Sequence, residues 1–247
     1  MNNPTFLFLA LSRLESVTIP ELILPLNGKH GEPDENRIRF GVRYYRFSSI
    51  VHFRHVLRGL VQVSDDANWA SANVLSRHLF EWAAHATFLK VKMPSLIRSG
   101  AWEKAWDILL RHNGGDLFMR RFGLKYEATS AQSQGIPEPY TIANILKVYA
   151  SVQNQADKTS DIQEDYSLLS ELSHASAACL RQHIEYKQDR IVFSAAKEDS
   201  SPLELASVST IDWLLSIGEL LELIHDSEVR PQVNEALKAI AQSSKQM

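Results

Sequence analysis

Apolar residues recur at steps of three and four along most of this chain, the spacing of helices that each bury one face. Residues 5–17 form a first short amphipathic segment. Pro20, Pro25, Gly28, Gly31 and Pro33 then predict a loop over 18–36. A long helix is expected from about Arg37 to Val63. Ser64, Asp65 and Asp66 supply N-cap chemistry for the next helix, which is expected to run to about Lys92 before Pro94 stops it. Helical spacing resumes over 95–113, with a break at Gly100, and Gly114-Gly115 ends it. Gly123, Gly135, Pro137 and Pro139 predict a second loop over 122–139. Helices are expected again at 141–157 and 161–187, the latter opened by Asp161 and Glu164 at capping-box spacing. Arg190–Ser194 is the single β-like run, one arm of a small hairpin near 186–196. Ser201-Pro202 opens a helix to about His225, and Ser227 caps a last one to about Gln242. The pattern predicts one all-α bundle of seven or eight helices filling 1–247.

The helix expected over 66–92 carries Leu75, Leu79, Trp82, Ala86 and Leu89 as a core stripe. Val74, Phe80, Ala84 and Phe88 lie on its other faces, so it is apolar nearly all round. Its polar exceptions are Arg77, His78, Glu81 and His85. Arg77, Glu81 and His85 are spaced by four and form one file. Desolvating a lone guanidinium or carboxylate is costly, so Arg77 and Glu81 must pair with each other or across to a partner helix. Such a pair either fixes helix register or forms an anion site in which Arg77 binds and Glu81 orients.

A second file lies in the helix expected over 161–187. Tyr166, Ser170 and His174 are also spaced by four, amid the small residues Ser173, Ala175, Ser176, Ala177 and Ala178. Small side chains let another helix or a ligand approach closely. His174 is either a packing residue or a general acid–base group oriented by Tyr166 or Ser170.

The runs R-H-L-F-E at 77–81 and Y-S-L-L-S-E-L-S-H-A-S at 166–176 resemble an uncharacterised family of bacterial helical proteins, over roughly 70–180. That family pairs an Arg-x-x-x-Glu helix with a Tyr-x-x-Leu-Ser-x-x-x-His-x-Ser helix. The chain is also similar to the HEPN-like bundles of bacterial toxin and antiphage systems, many of them metal-independent ribonucleases. Their usual signature places a polar residue directly after the Arg and a His four to six residues further on, whereas here His78 follows Arg77 and the next His is His85. The resemblance therefore reaches nuclease chemistry by analogy. It implies His174 as acid–base group and Arg77 as phosphate contact, with RNA as substrate through its 2′-hydroxyl. It places Arg77, Glu81, Tyr166, Ser170 and His174 in one polar centre. The alternative is a non-catalytic interaction or oligomerisation module.

Charge is uneven along the chain. Residues 37–63 hold Arg37, Arg39, Arg43, Arg46, Arg54 and Arg58 and no Asp, Glu or Lys, a formal charge of +6 in a chain whose total is -3. Arg39, Arg43, Arg46, Arg54 and Arg58 share about a third of the helix circumference, interleaved with aromatics. Such a face either binds nucleic-acid phosphates and stacks on bases, or docks on acidic segments such as the one with Asp157, Asp161, Glu164 and Asp165. The overall acidity excludes nucleic-acid binding through bulk charge.

Cys179 is the only cysteine, which excludes an internal disulfide or thiolate zinc site and points to a reducing, cytoplasmic setting. The longest apolar run, Phe6–Leu11, is too short to span a bilayer and lacks signal-peptide flanks, so no membrane association is expected. Glu171-x-x-His174 and Glu222-x-x-His225 have di-iron spacing, but Glu81 is the only further carboxylate that suggests itself, so a metal-binding bundle ranks last. No metal and no cofactor are expected, and P-loop, dinucleotide and hydrolase-elbow patterns are absent. A homodimer is expected, because Trp213, Leu214, Leu215, Leu220, Leu221 and Leu223 give the late helix more apolar surface than one face needs.

Overall fold

The computed structural model describes residues 4–21, 34–66, 68–112, 140–152, 162–164, 166–167, 169–170, 184–187, 190–193, 201–224, 229–235 and 238. Its elements are α1 (Pro4–Glu15), α2 (Glu35–Asp65), α3 (Trp69–Arg98), α4 (Trp102–His112) and α5 (Ile142–Val152). There follow α6 (162–170), the strands β1 (Ile184–Lys187) and β2 (Arg190–Phe193), α7 (Ser201–Leu223) and a short α8 (230–235). The fold is all-α, as the periodicity predicts. No helix among the described residues is long and apolar enough to cross a membrane.

Caps explain the start of α2 and both ends of α3. The Asp34 carboxylate accepts from the Arg37 amide at 2.8 Å and opens α2. Ser64, Asp65 and Asp66, expected to cap the next helix, finish α2 instead: Ser64 Oγ donates back to the Leu60 carbonyl at 2.6 Å. Asn68 is the cap of α3, its side chain accepting from the Ser71 amide. Nor does Pro94 stop α3, which continues through it to Arg98. Proline forfeits one N–H bond, to the Lys90 carbonyl. Met93, fully buried beside it, keeps the turn anchored to the core. The stop comes at Gly100, with φ of +67°. The Ala101 amide donates to the Leu96 carbonyl at 2.9 Å and the Gly100 amide to the Ile97 carbonyl at 3.2 Å, a Schellman closure.

Helix α3 is the centre of the bundle, touching α2, α4, α5 and α7, with α7 its most extensive neighbour. The pairs Thr87–Ser216 (3.0 Å) and Lys90–Glu219 (2.8 Å) advance together, so α3 and α7 run parallel. Parallel neighbours need a crossover, which the intervening α4, α5, α6 and hairpin supply. Between α2 and α7, Phe53 stacks on the fully buried Trp213 at 4.0 Å. Gly41 lets α4 close on α2, since a Cβ there would lie 3.0 Å from Leu109 Cδ1.

Two further expectations change. The helix predicted to 187 ends earlier, because 184–187 is a strand paired antiparallel with 190–193 in the register Ile184↔Phe193 and Lys187↔Arg190. Ile184, Tyr186, Ile191, Val192 and Phe193 are β-branched or aromatic, and that preference overrides the continuing helical spacing. On α7, Trp213, Leu214, Leu220 and Leu221 are buried within the chain, while Leu215 and Val208 are exposed, so intrachain packing takes up most of the apolar surface expected there. The loop predicted over 122–139 and most of that over 18–36 lie outside the described residues.

Gly100→Ala tests the Schellman closure. Its Cβ meets only Trp102, at an uncrowded 3.9 Å, so the loss is left-handed backbone strain of about 1–2 kcal/mol. Urea denaturation is expected to show a lower midpoint with an unchanged slope.

Candidate functional site

The two polar files meet. Helix α3 presents Arg77, His78, Glu81 and His85 on a strip left partly open between α2 and α6, and α6 brings Tyr166 onto it. Arg77 Nε donates to Glu81 Oε1 at 3.0 Å, and Arg77 Nη2 donates to the Tyr166 hydroxyl at 3.1 Å. Tyr166 donates in turn to the same Glu81 Oε1 at 3.1 Å. One carboxylate oxygen thus receives both a guanidinium and a phenol, and the three side chains form a closed ring. The Arg77 and Glu81 side chains are 21% and 24% exposed, so the ring sits at the surface.

Electrostatics favour this protonation state. Burial alone would lower the Arg77 pKa, but the Tyr166 hydrogen bond and the Glu81 charge outweigh it and the value rises. Burial raises Tyr166, and Glu81 raises it further against the opposing pull of Arg77. Tyr166 therefore stays a neutral phenol that can donate to Glu81, while Arg77 stays charged.

One turn beyond Glu81, His85 Nδ1 meets His112 Nε2 of α4 at 2.9 Å. Tyr45 of α2 sets its ring edge-on to His112 at 4.8 Å. Burial pushes His85 down to about 4, against a smaller upward pull from Glu81. Sequence reasoning placed His85 in the polar file but missed His112, whose only signal is a basic residue in the last turn of α4. His78, half exposed, has Nδ1 3.9 Å from Glu81 Oε2. His52 of α2 packs against Trp82 at 4.9 Å, and its pKa is lowered by burial and then by His78 and His55.

Ser170 lies one turn past Tyr166 and is half-buried, while His174 falls outside the described residues, as do Cys179, His225 and Glu171. The arginine face of α2 points elsewhere. Arg39 pairs with Glu35 at 2.5 Å and donates to the Ile224 carbonyl just past α7. Arg54 donates to the Val17 carbonyl just past α1, and Arg58 pairs with Glu15 at 2.5 Å. Arg46 is fully buried with its guanidinium 5.5 Å from the Phe47 ring centre, and Arg43 is exposed. Three of the five thus close the ends of α1 and α7 or pair with nearby carboxylates. By helix geometry they lie across α2 from Tyr45 and His52, which face α3.

Among the described residues no group of three or more His, Cys, Asp or Glu is placed to hold a metal ion. A separate cleft of about 430 Å³ lies at the C-terminal ends of α3 and α7, lined by Lys90, Pro94, Arg98, Glu219 and Glu222. No known protein-family model, curated protein or solved structure matches the chain.

Two measurements follow from this geometry. Tyr166→Phe and Glu81→Gln each lose about 1 kcal/mol, and their double variant loses less than the sum by about 0.5–1 kcal/mol, read by a double-mutant cycle in urea. For His85, the unfolded chain takes up a proton near pH 6.5 and the folded chain only near 4, so its contribution is full above 6.5 and is lost as pH falls towards 4. Its size is up to roughly 3 kcal/mol. A His85→Met, His112→Leu double variant is expected to lose less stability between pH 7 and pH 4.5 than the parent does.

Proposed function

We propose that the Arg77–Glu81–Tyr166 centre is the phosphate-holding half of a HEPN-like, metal-independent ribonuclease site. The carrying observation is the meeting of three chemistry-bearing side chains, 85 or more residues apart across the two files, on a partly open surface strip. Glu81 and Tyr166 fix the plane of the guanidinium, so Arg77 is oriented before a phosphodiester arrives. Ser170 continues the file by one turn, and in the sequence His174 continues its spacing of four.

The reaction is transesterification. A base takes the proton of the RNA 2′-hydroxyl, the 2′-oxygen–phosphorus bond forms, and the phosphorus–5′-oxygen bond breaks. An acid protonates the leaving 5′-oxygen, giving a 2′,3′-cyclic phosphate and a 5′-hydroxyl. His174 is the proton-transfer group that the sequence file offers, and Arg77 balances charge on the phosphate.

A second reading is a non-catalytic interaction module, alone or as a dimer, in which the triad only locks α6 onto α3. It is favoured by the mutual hydrogen bonds of the triad, which hold α6 against α3, and by the engagement of Arg39, Arg54 and Arg58 within the chain. Incubating total RNA with purified protein in EDTA separates the two. The ribonuclease reading expects cleavage by the parent and at least a hundredfold loss in folded His174→Ala and Arg77→Ala. An inactive parent leaves the interaction module standing, and equal cleavage by all three proteins refutes the assigned centre.

A further inference from the structure

Cleavage of RNA by its own 2′-hydroxyl needs two proton transfers, one at the attacking oxygen and one at the leaving oxygen. In the sequence, the spacing of Tyr166 and Ser170 continues to one imidazole, His174. The structure offers another on α3. His78 is the residue after Arg77, its side chain is 50% exposed, and it shares the open strip of α3 with the triad. Its Nδ1 stands 3.9 Å from Glu81 Oε2, the carboxylate oxygen that Arg77 and Tyr166 do not use.

We propose that His78 is the second proton-transfer group of this centre, acting on an RNA phosphodiester held by Arg77, with Glu81 as its orienting carboxylate. The inference rests on the ribonuclease reading. The gap of 3.9 Å exceeds a hydrogen bond, but a small imidazole rotation closes it, and such contacts commonly tighten when substrate binds. Once closed, Glu81 Oε2 accepts from Nδ1–H and leaves Nε2 to exchange a proton with the substrate, the role a carboxylate plays behind a catalytic histidine. Glu81 then serves both halves of the site, with one oxygen on the phosphate-holding arginine and the other on the imidazole.

The surroundings of His78 suit an anionic substrate. On its own helix it faces Glu81, one turn on; from α2, His52 is near enough to act on it electrostatically; the neutral Tyr166 of α6 lies on the far oxygen of Glu81. His52 is near enough to His78 for the two to interact electrostatically, so these imidazoles and the Arg77 guanidinium lie close to where an anionic substrate would sit.

The test is the pH–rate profile for RNA cleavage by the parent, His78→Ala and His78→Asn, beside an NMR titration of the His78 imidazole in the parent. The titration is run with and without a 2′-deoxy oligonucleotide, which binds but cannot be cleaved. The expected parent profile is a bell. Both variants lose one limb and at least a hundredfold in rate at the optimum, with RNA binding changed less than threefold. The oligonucleotide is expected to raise the His78 titration midpoint by half a pH unit or more. A parent that cleaves while both variants keep its rate and profile overturns this assignment and leaves the ribonuclease reading intact. A parent that does not cleave overturns both. If a variant does not fold, the titration decides, and an unmoved midpoint rejects the assignment.

Discussion

Helix α3 is apolar on nearly every face, and that constraint organises the molecule. A helix with Leu79, Phe80, Ala83, Ala84, Ala86, Phe88, Leu89 and Met93 all buried cannot lie on a surface. It must be enclosed, and α2, α4, α5 and α7 enclose it. At roughly 25 cal/mol per Å² of apolar surface, each large side chain on it contributes about 1.5–3 kcal/mol, far more than any polar contact here. Enclosure leaves one strip short of cover, and Arg77, His78 and Glu81 lie along it. There the same logic works in reverse: a guanidinium and a carboxylate that are three-quarters buried need partners, and Tyr166 from α6 completes a ring that satisfies both.

The strip therefore carries both a structural and a chemical consequence. It ties a late segment of the chain to the central helix, and it concentrates Arg77, His78, Glu81 and Tyr166 where solvent still reaches. Deeper on the same file, His85, which burial holds neutral, meets His112 and joins α4 to α3. Protonation states thus grade along α3, from a charged ion pair at Arg77 and Glu81 to the uncharged imidazole of His85. The arginines of α2 serve different ends: Arg39 and Arg54 close carbonyls that the ends of α7 and α1 leave open, and Arg58 holds Glu15.

Much of this was legible in the residues. Periodicity predicts the helices, the hairpin and the break at Gly100, because those depend on local spacing and on one left-handed residue. The need for Arg77 and Glu81 to pair follows from desolvation, and the spacing of Tyr166 marks it as a file residue. Three things were not legible. Pro94 looks like a stop, but tertiary burial of Met93 holds the helix through it. The strand at 184–187 continues a helical pattern, and only its β-branched and aromatic content hints otherwise. His112 joins the picture only because α4 packs beside α3, and no local pattern encodes which helix neighbours which. The arginine face illustrates the same limit, since the carbonyls of Ile224 and Val17 that Arg39 and Arg54 reach carry no signature in sequence.

The central claim is that Glu81 and Tyr166 hold Arg77 in one orientation ready for an anion. The most direct measurement is the Nε–Hε NMR signal of Arg77, with and without a 2′-deoxy oligonucleotide. A held guanidinium gives a resolved, slowly exchanging signal that shifts on adding the oligonucleotide and collapses towards the free-arginine position in Glu81→Gln. A signal already at the free-arginine position in the parent, or one that the oligonucleotide leaves unmoved, would contradict the account.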